Sequence, residues 1–311
     1  MGIFQSLFGG QKPEAPKEQA ESPSEKLSGA DLAQQIAGEI VERNTEPALC
    51  FTLEKGEPGL FDSKVSGTPY LPRDMAWPVD SRGMGMRLLA QVDCAALESL
   101  PDFPHTGLLQ FFFALDDVFG ADFDNSVEQK GFRVLYHEMV DRSVTAEEVQ
   151  AKRAAAPQVE DAEDYTPVFE NCRIVFAKPD LQHISEADFR AWKQFLAKWN
   201  EVHGTAFKNR WEYYKETKID DDFPHPEEDG GPNHQLGGYP YFTQEDPRAS
   251  NEELADLDVL LFQLDSDMLP KEQGGKDLVL WGDCGVANFF INREALKKRD
   301  FSRVCYNWDC C

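Results

Sequence analysis

One stretch of this sequence occurs twice, and the repetition constrains the fold more than any other feature. G-T-P-Y-L-P-R-D begins at Gly67 and G-Y-P-Y-F-T-Q-E begins at Gly238. Each is followed by an apolar run ending in Gln-x-Asp, L-L-A-Q-V-D from Leu88 to Asp93 and L-L-F-Q-L-D from Leu260 to Asp265. A third match follows in the same order, G-L-L-Q-F-F-F from Gly107 and G-V-A-N-F-F-I from Gly285. The spacing of Pro69 to Gln91 differs from that of Pro240 to Gln263 by a single residue. Three matches in register predict an internal duplication of a β-rich unit, with pseudo-repeats at about 60–137 and 232–301. The fold class expected is mainly β with flanking helices (α+β), an internally duplicated β-roll.

The runs at Leu88 to Val92 and Leu108 to Leu115 are apolar without alternation, as in strands buried on both faces, and Phe132 to His137 and Cys172 to Ala177 are further strands. Residues 30–44 predict a helix with Leu32, Ile36, Ile40 and Val41 on one face. Residues 141–164 predict a helix and an acidic loop. A longer helix follows, with Ser185 as its cap, Asp188 completing a capping box and Gly204 at its stop. Its aromatic face, Phe189, Trp192, Phe195 and Trp199 among others, reads as core. Residues 1–29 read as a disordered tail, and residues 30–311 as a single domain whose halves are joined by a helical insert. The tail opens on M-G-I-F-Q-S, a short acylation pattern at Gly2.

A formal net charge of −25 argues against nucleic acid as a partner, because phosphate contacts need clustered Lys and Arg. The same charge points to a basic protein or peptide as partner. No apolar run approaches the ~20 residues of a membrane-spanning helix, so no integral membrane segment is expected. Seven cysteines at irregular spacings, with no export signal, read as reduced thiols of a cytoplasmic protein.

The combination G-G-Y-P-Y-F-T-Q-E-D-P-R (Gly237 to Arg248), L-L-F-Q-L-D-S-D (Leu260 to Asp267), W-G-D-C-G-V-A-N-F-F-I (Trp281 to Ile291) and the closing Y-N-W-D-C resembles the YwqG-like family. The similarity runs from about Pro47 to Cys311. That family is catalogued mainly as a domain of unknown function. The resemblance implies a mainly-β, roll-like fold and brings no activity, cofactor or catalytic residue.

The polar groups set in apolar runs are the first site candidates: Gln91 with Asp93, and Gln263 with Asp265. A buried glutamine must satisfy both its carbonyl and its NH2, at a cost of ~1–3 kcal/mol for each group left unpaired. These residues either floor a cleft shared by the two halves or tie each G-x-P-Y loop to its strand; presence in both copies favours the tie. The second candidate is Asp283 in W-G-D-C-G, a carboxylate on a tight turn beside Trp281, with Trp77 as an aromatic wall across from it. The matching positions of the first copy, Phe103 to Gly107, lack the motif.

The terminal thiols Cys305, Cys310 and Cys311 lack the pair spacing of a structural zinc site, even with Cys284 added. The acidic 220–229 loop lacks the alternating spacing of a calcium loop, and His225 and His234 in the same connection have no evident partner. No metal site and no cofactor is expected. The functional expectation is a non-enzymatic cytosolic binding module whose acidic groove lies between the halves, with binding residues Trp77, Gln91, Asp93, Gln263, Asp265, Trp281 and Asp283. The alternative is an enzyme of unassigned class built on Asp283, Trp281 and Trp77.

Overall fold

The computed structural model describes residues 28–219, Phe223 and 233–311. The tail over 1–27, most of the acidic 220–229 loop and His225 lie outside the described residues. The first helix, α1 (Gly29–Arg43), starts where Ser28 and Asp31 form a reciprocal capping box, and it buries Ala33, Ile36, Ala37 and Ile40. A long strand, β1 (Thr45–Lys55), follows. The first half then contributes β2 (Lys64–Val65), β3 (Arg87–Asp93), β4 (Leu108–Phe113) and β5 (Phe132–His137). The insert carries α2 (Ala146–Ala155), β6 (Cys172–Phe176), β7 (Asp180–His183), α3 (Phe189–His203) and α4 (Arg210–Thr217). The second half begins with β8 (Gln235–Gly237), α5 (Pro247–Ser250), β9 (Val259–Asp265) and β10 (Asp267–Met268). It ends with β11 (Asp277–Val279), β12 (Val286–Ile291), α6 (Arg293–Lys297) and β13 (Val304–Asp309).

All but two of these strands belong to one antiparallel, nearly barrel-shaped sheet ordered β13-β12-β9-β8-β1-β6-β2-β3-β4-β5, with β7 also on β1. The fold is therefore mainly β with helices, as the apolar runs predicted. Midway along the order, β1 pairs with β6 through Thr52 and Val175, flanked by Phe51 with Phe176 and Leu53 with Ile174.

Outward from that point the two sides keep matching registers. Lys64 pairs with Gln91 on one side, and Gln235 pairs with Gln263 on the other. Gln91 pairs with Gln110, and Gln263 with Asn288. Gln110 then pairs with Leu135, and Asn288 with Asn307. Each inner strand carries a bulge two residues before its glutamine: the register skips Leu89 in β3 and Leu261 in β9. The backbone before each Pro-Tyr takes the same unusual path, with positive φ at Ser66 and Gly67 (62° and 83°) and at Gly237 and Gly238 (both 67°).

Strands buried on both faces need an apolar layer on each side. In β4, Leu109, Phe111 and Phe113 face the central core, while Leu108 and Phe112 face an outer cluster with Tyr70, Trp77, Val144 and Val149. The halves meet in the central core, where the Phe111 ring lies 4.7 Å from Phe262 and 4.8 Å from Phe289. The α3 face packs on α1 as an aromatic layer of Trp192, Phe195 and Trp199 with Tyr213 of α4.

One expectation shifts. The cap of α3 is Asp188, which accepts from Arg190 N, while Ser185 lies before the helix and only its carbonyl takes the Asp188 N–H. A carboxylate held by two arginines is the stronger cap here. Beyond α3, Asn209 caps α4 by accepting the Glu212 N–H. The last sheet strand is β13, which ends at Asp309. Among the described residues no helix is long and apolar enough to cross a membrane.

Candidate functional site

The paired glutamines act as struts. Gln91 accepts the Tyr70 N–H on Oε1 at 2.9 Å and donates from Nε2 to the carbonyls of Leu60 (2.9 Å) and Asp62 (3.0 Å). Gln263 accepts the Tyr241 N–H at 2.8 Å and donates to the Asn233 carbonyl at 2.6 Å. The neighbouring strand repeats the pattern. Gln110 Nε2 donates to the Tyr70 carbonyl at 2.6 Å, and Asn288 Nδ2 to that of Tyr241 at 3.0 Å. The tyrosine of each G-x-P-Y loop is thus clamped at both backbone polar groups, and the two glutamines serve separate loops rather than one cleft.

The aspartates are also occupied locally. Asp93 Oδ1 accepts the Ala95 N–H at 3.1 Å, capping a short 3-10 turn. Asp265 is buried and accepts the N–H groups of Asn233 and Ser266, each at 2.8 Å, while its own N–H donates to His234 Nδ1 at 3.0 Å. Burial holds the Asp265 carboxyl above the usual range, against these hydrogen bonds. His234, which had no evident partner in the sequence, therefore belongs to the β8–β9 scaffold and stacks on Phe51 at 5.3 Å.

Trp77 and Trp281 are not brought together. Trp77 lies in the outer cluster, its Nε1–H donating to the Met86 carbonyl at 2.8 Å and its ring edge-on to Phe112 at 6.2 Å. Trp281 lies in the central core against Phe119 and Trp308. These clusters occupy opposite faces of β4, so no wall spans them. Asp283 is exposed on the turn 281–285 beside Cys284, distant in the fold from the Trp77 cluster. The Asp283 carboxylate has the Cys284 thiol as a neighbour, which donates to Oδ1 at 3.9 Å.

The structure adds a site of its own. A cavity of about 470 Å3 opens between the first G-T-P-Y loop, the start of α2 and the residues preceding β6. Trp77, Leu88 and Val168 supply apolar lining, and Phe169, 52% exposed, stands at its edge. Its polar lining includes Thr68, Gln150, Asn171 and the guanidinium groups of Arg87 and Arg153. Arg87 is held by Glu163 through bonds of 2.6 and 3.3 Å. Of the other lining carboxylates, Glu170 is paired with Lys55 and Glu57 accepts from Asn171 Nδ2. The Arg153 guanidinium has no hydrogen bond or ion pair among the described residues. Arg153 is itself solvent-exposed on the rim; desolvation by the surrounding atoms, and then the neighbouring Arg87 charge, lower its pKa. Its only attractive partner in that balance is Glu163, already engaged by Arg87.

Behind this lining sits Lys64, fully buried without a carboxylate contact. Its Nζ donates to the carbonyls of Gly59 (2.6 Å), Leu60 (3.1 Å) and Thr68 (2.7 Å), all on residues that line the cavity. Burial pulls its pKa down to about 8, with Asp62 opposing. Gln235 is its register-mate on the other side of the sheet, donating to the Tyr239 carbonyl at 2.6 Å. The one signal available in sequence was a lysine and an arginine at strand ends flanking the first G-T-P-Y, where the matching positions around Gly238 carry Gln235 and Val259.

Residues 63–310 match the family model described as Domain of unknown function (DUF1963). The chain belongs to that family. No curated protein matches it. The DUF1963 match spans both ladders, the insert between them and most of the cavity lining, and it begins after α1 and β1. Its description assigns no activity, so function has to be read from the geometry of the DUF1963 unit itself.

Proposed function

We propose that this DUF1963 protein is a cytosolic binding module rather than an enzyme, and that its ligand enters the cavity beside Trp77. The ligand class is a small molecule or peptide end that joins a carboxylate or phosphate to an apolar portion. The observation that carries the reading is Arg153. In a chain where 56 carboxylates outnumber 31 Lys and Arg, Arg153 stands on a cavity wall without a carboxylate of its own, whereas the other lining guanidinium, Arg87, is taken by Glu163. It can give an incoming anion a bidentate pair, while Trp77 and Leu88 receive apolar surface.

We infer an ancestral duplication, which favours the same reading. The matching registers, bulges and tyrosine clamps are what two copies of one unit retain when their scaffold is under constraint. The cations at the first site are not retained: Lys64 answers to Gln235, and Arg87 answers to Val259 at the start of β9. One copy thus keeps the scaffold alone, and the other adds charge around a cavity.

The test is a thermal-shift screen of the full chain against small carboxylates and phosphates with and without aryl groups. At 100-fold over Kd a ligand adds about 2.7 kcal/mol of apparent stability, readable as a rise in Tm. The rise is expected in the wild type and absent in Arg153→Ala. A panel without effect, or a shift that survives Arg153→Ala, overturns the proposal. A second reading, a basic protein partner on the outer surface, is favoured by the net charge of −25. It predicts retention of a cationic peptide that falls steeply with salt and is indifferent to Arg153→Ala.

A further inference from the structure

Two features that look unrelated along the sequence, the W-G-D-C-G turn and the thiol-rich end, meet in space. The last pair of the β12–β13 ladder is Val286 with Asp309. Continuing that antiparallel register sets Gly285 opposite Cys310 and Cys284 opposite Cys311. The thiols of Cys284 and Cys311 lie 3.0 Å apart, and both residues are exposed.

The turn can lie this close because of its glycines. A Cβ on Gly285 would come 1.8 Å from the Asp309 carbonyl oxygen, and one on Gly282 (φ 61°) would come 2.5 Å from Cys310 Sγ. The turn is fixed from behind by the Gly285 N–H on the Trp281 carbonyl at 2.7 Å and by Ser266 Oγ on the Gly285 carbonyl at 2.7 Å. On the other strand, Trp308 donates from Nε1 to the Val118 carbonyl at 2.8 Å. Cys284 is therefore held on an ordered turn, and Cys311 follows the end of β13, where the Cys310 carbonyl accepts from Gln244 Nε2.

We propose that Cys284 and Cys311 are a reversible dithiol–disulfide pair that responds to small-molecule disulfides of the glutathione type. A disulfide needs an S–S distance of about 2.05 Å, so closure asks for about 1 Å of thiol movement. One cysteine loses its proton to solvent and attacks the reagent's disulfide, forming a mixed disulfide and releasing one small thiolate. The second cysteine, deprotonated in turn, attacks the protein sulfur of that mixed disulfide and releases the second small thiolate. The protein is oxidised by two electrons, the reagent is reduced to two thiols, and the two protons lost by the cysteines are taken up by the two leaving thiolates. Cys94, Cys172 and Cys305 are buried and do not compete. The bond would lock the turn carrying Asp283 to the end of β13.

The experiment equilibrates the full-length native chain in oxidised and reduced glutathione, blocks remaining thiols by alkylation, and maps peptides by mass spectrometry. A link between the peptides holding Cys284 and Cys311 is expected in the wild type and in Cys310→Ser. In Cys284→Ser and Cys311→Ser the surviving partner should instead carry a stable glutathione adduct. Oxidised wild type should melt several degrees higher than reduced, reversibly with dithiothreitol, because the bond constrains the unfolded chain. Separate adducts on both cysteines of the wild type, a link through Cys310, or links only between molecules would overturn the proposal. So would a dithiol that remains reduced in glutathione disulfide alone.

Discussion

Replacing Gln91 or Gln263 by leucine tests the strut role quantitatively. In Gln91→Leu the Tyr70 N–H and the Asp62 carbonyl lose their partner. Two other partners are cushioned: the Leu60 carbonyl keeps Lys64 Nζ, and Gln110 Nε2 keeps the Tyr70 carbonyl. In Gln263→Leu the orphans are the Tyr241 N–H and the Asn233 carbonyl. Each substitution therefore strands one donor and one acceptor, although Gln91 makes more bonds than Gln263. At ~1–3 kcal/mol per stranded group, each costs about 2–6 kcal/mol, and the two costs should agree within about 1 kcal/mol. Urea unfolding followed by intrinsic fluorescence gives both values, and unchanged m-values would show that the unfolded states are comparable. A loss below about 0.5 kcal/mol in either variant would refute the strut role. A gap above about 2 kcal/mol between them would refute the equivalence of the two clamps.

Other outcomes follow from buried charge. Lys64 titrates at about 8 when folded against an ordinary 10.5, so between these values the unfolded chain holds the extra proton and raising the pH favours the fold. Relative to Lys64→Gln, which imitates Gln235, the wild type should gain about 3 kcal/mol between pH 7.5 and 10.5; a pH-independent difference would contradict this. Arg248 is buried, bonded to Asp246 at 2.7 and 2.9 Å and to Asp188 at 3.3 Å, with its guanidinium 3.8 Å over the Phe290 ring. Arg248→Ala leaves buried carboxylates short of a counter-charge and should cost about 3–5 kcal/mol in urea unfolding, with an effect under 1 kcal/mol sinking the idea. The Asp188 carboxyl is held below 3.8 by Arg190 and Arg248 against its burial, so its stabilisation is full above 3.8 and fades as pH falls through the folded value. Acid unfolding of Arg248→Ala should accordingly begin at higher pH than that of the wild type.

The sequence was most legible where one residue had to satisfy a local rule. Largely apolar runs located β3 and β4, because strands covered on both faces have no polar side to show. The glutamines inside those runs were readable as clamps, since a buried amide must find partners and Gln91 and Gln263 hold matching places in their runs. Parity was not readable. The facing of Trp77 and Trp281 depends on which side of β4 each packs, and a bulge at Leu89 resets the alternation. The cap of α3 was misplaced by three residues because Asp188 is chosen by Arg190 and Arg248, the second of them far along the chain. The meeting of Cys284 with Cys311 was hidden for a similar reason, since only the pairing of β12 with β13 makes them neighbours. The cavity was hidden most completely. Its lining comes from five separate segments between Glu57 and Asn171, and its distinguishing property is a pairing that Arg153 lacks.

Arginine side-chain Nε–Hε resonances of the full chain, followed by NMR while acetate or inorganic phosphate is added, address the binding site most directly. A saturable shift of the Arg153 signal, assigned through Arg153→Lys, is expected, while the solvent-facing Arg43 signal drifts only linearly. Equal, unsaturated drift at Arg153 and Arg43 would contradict it.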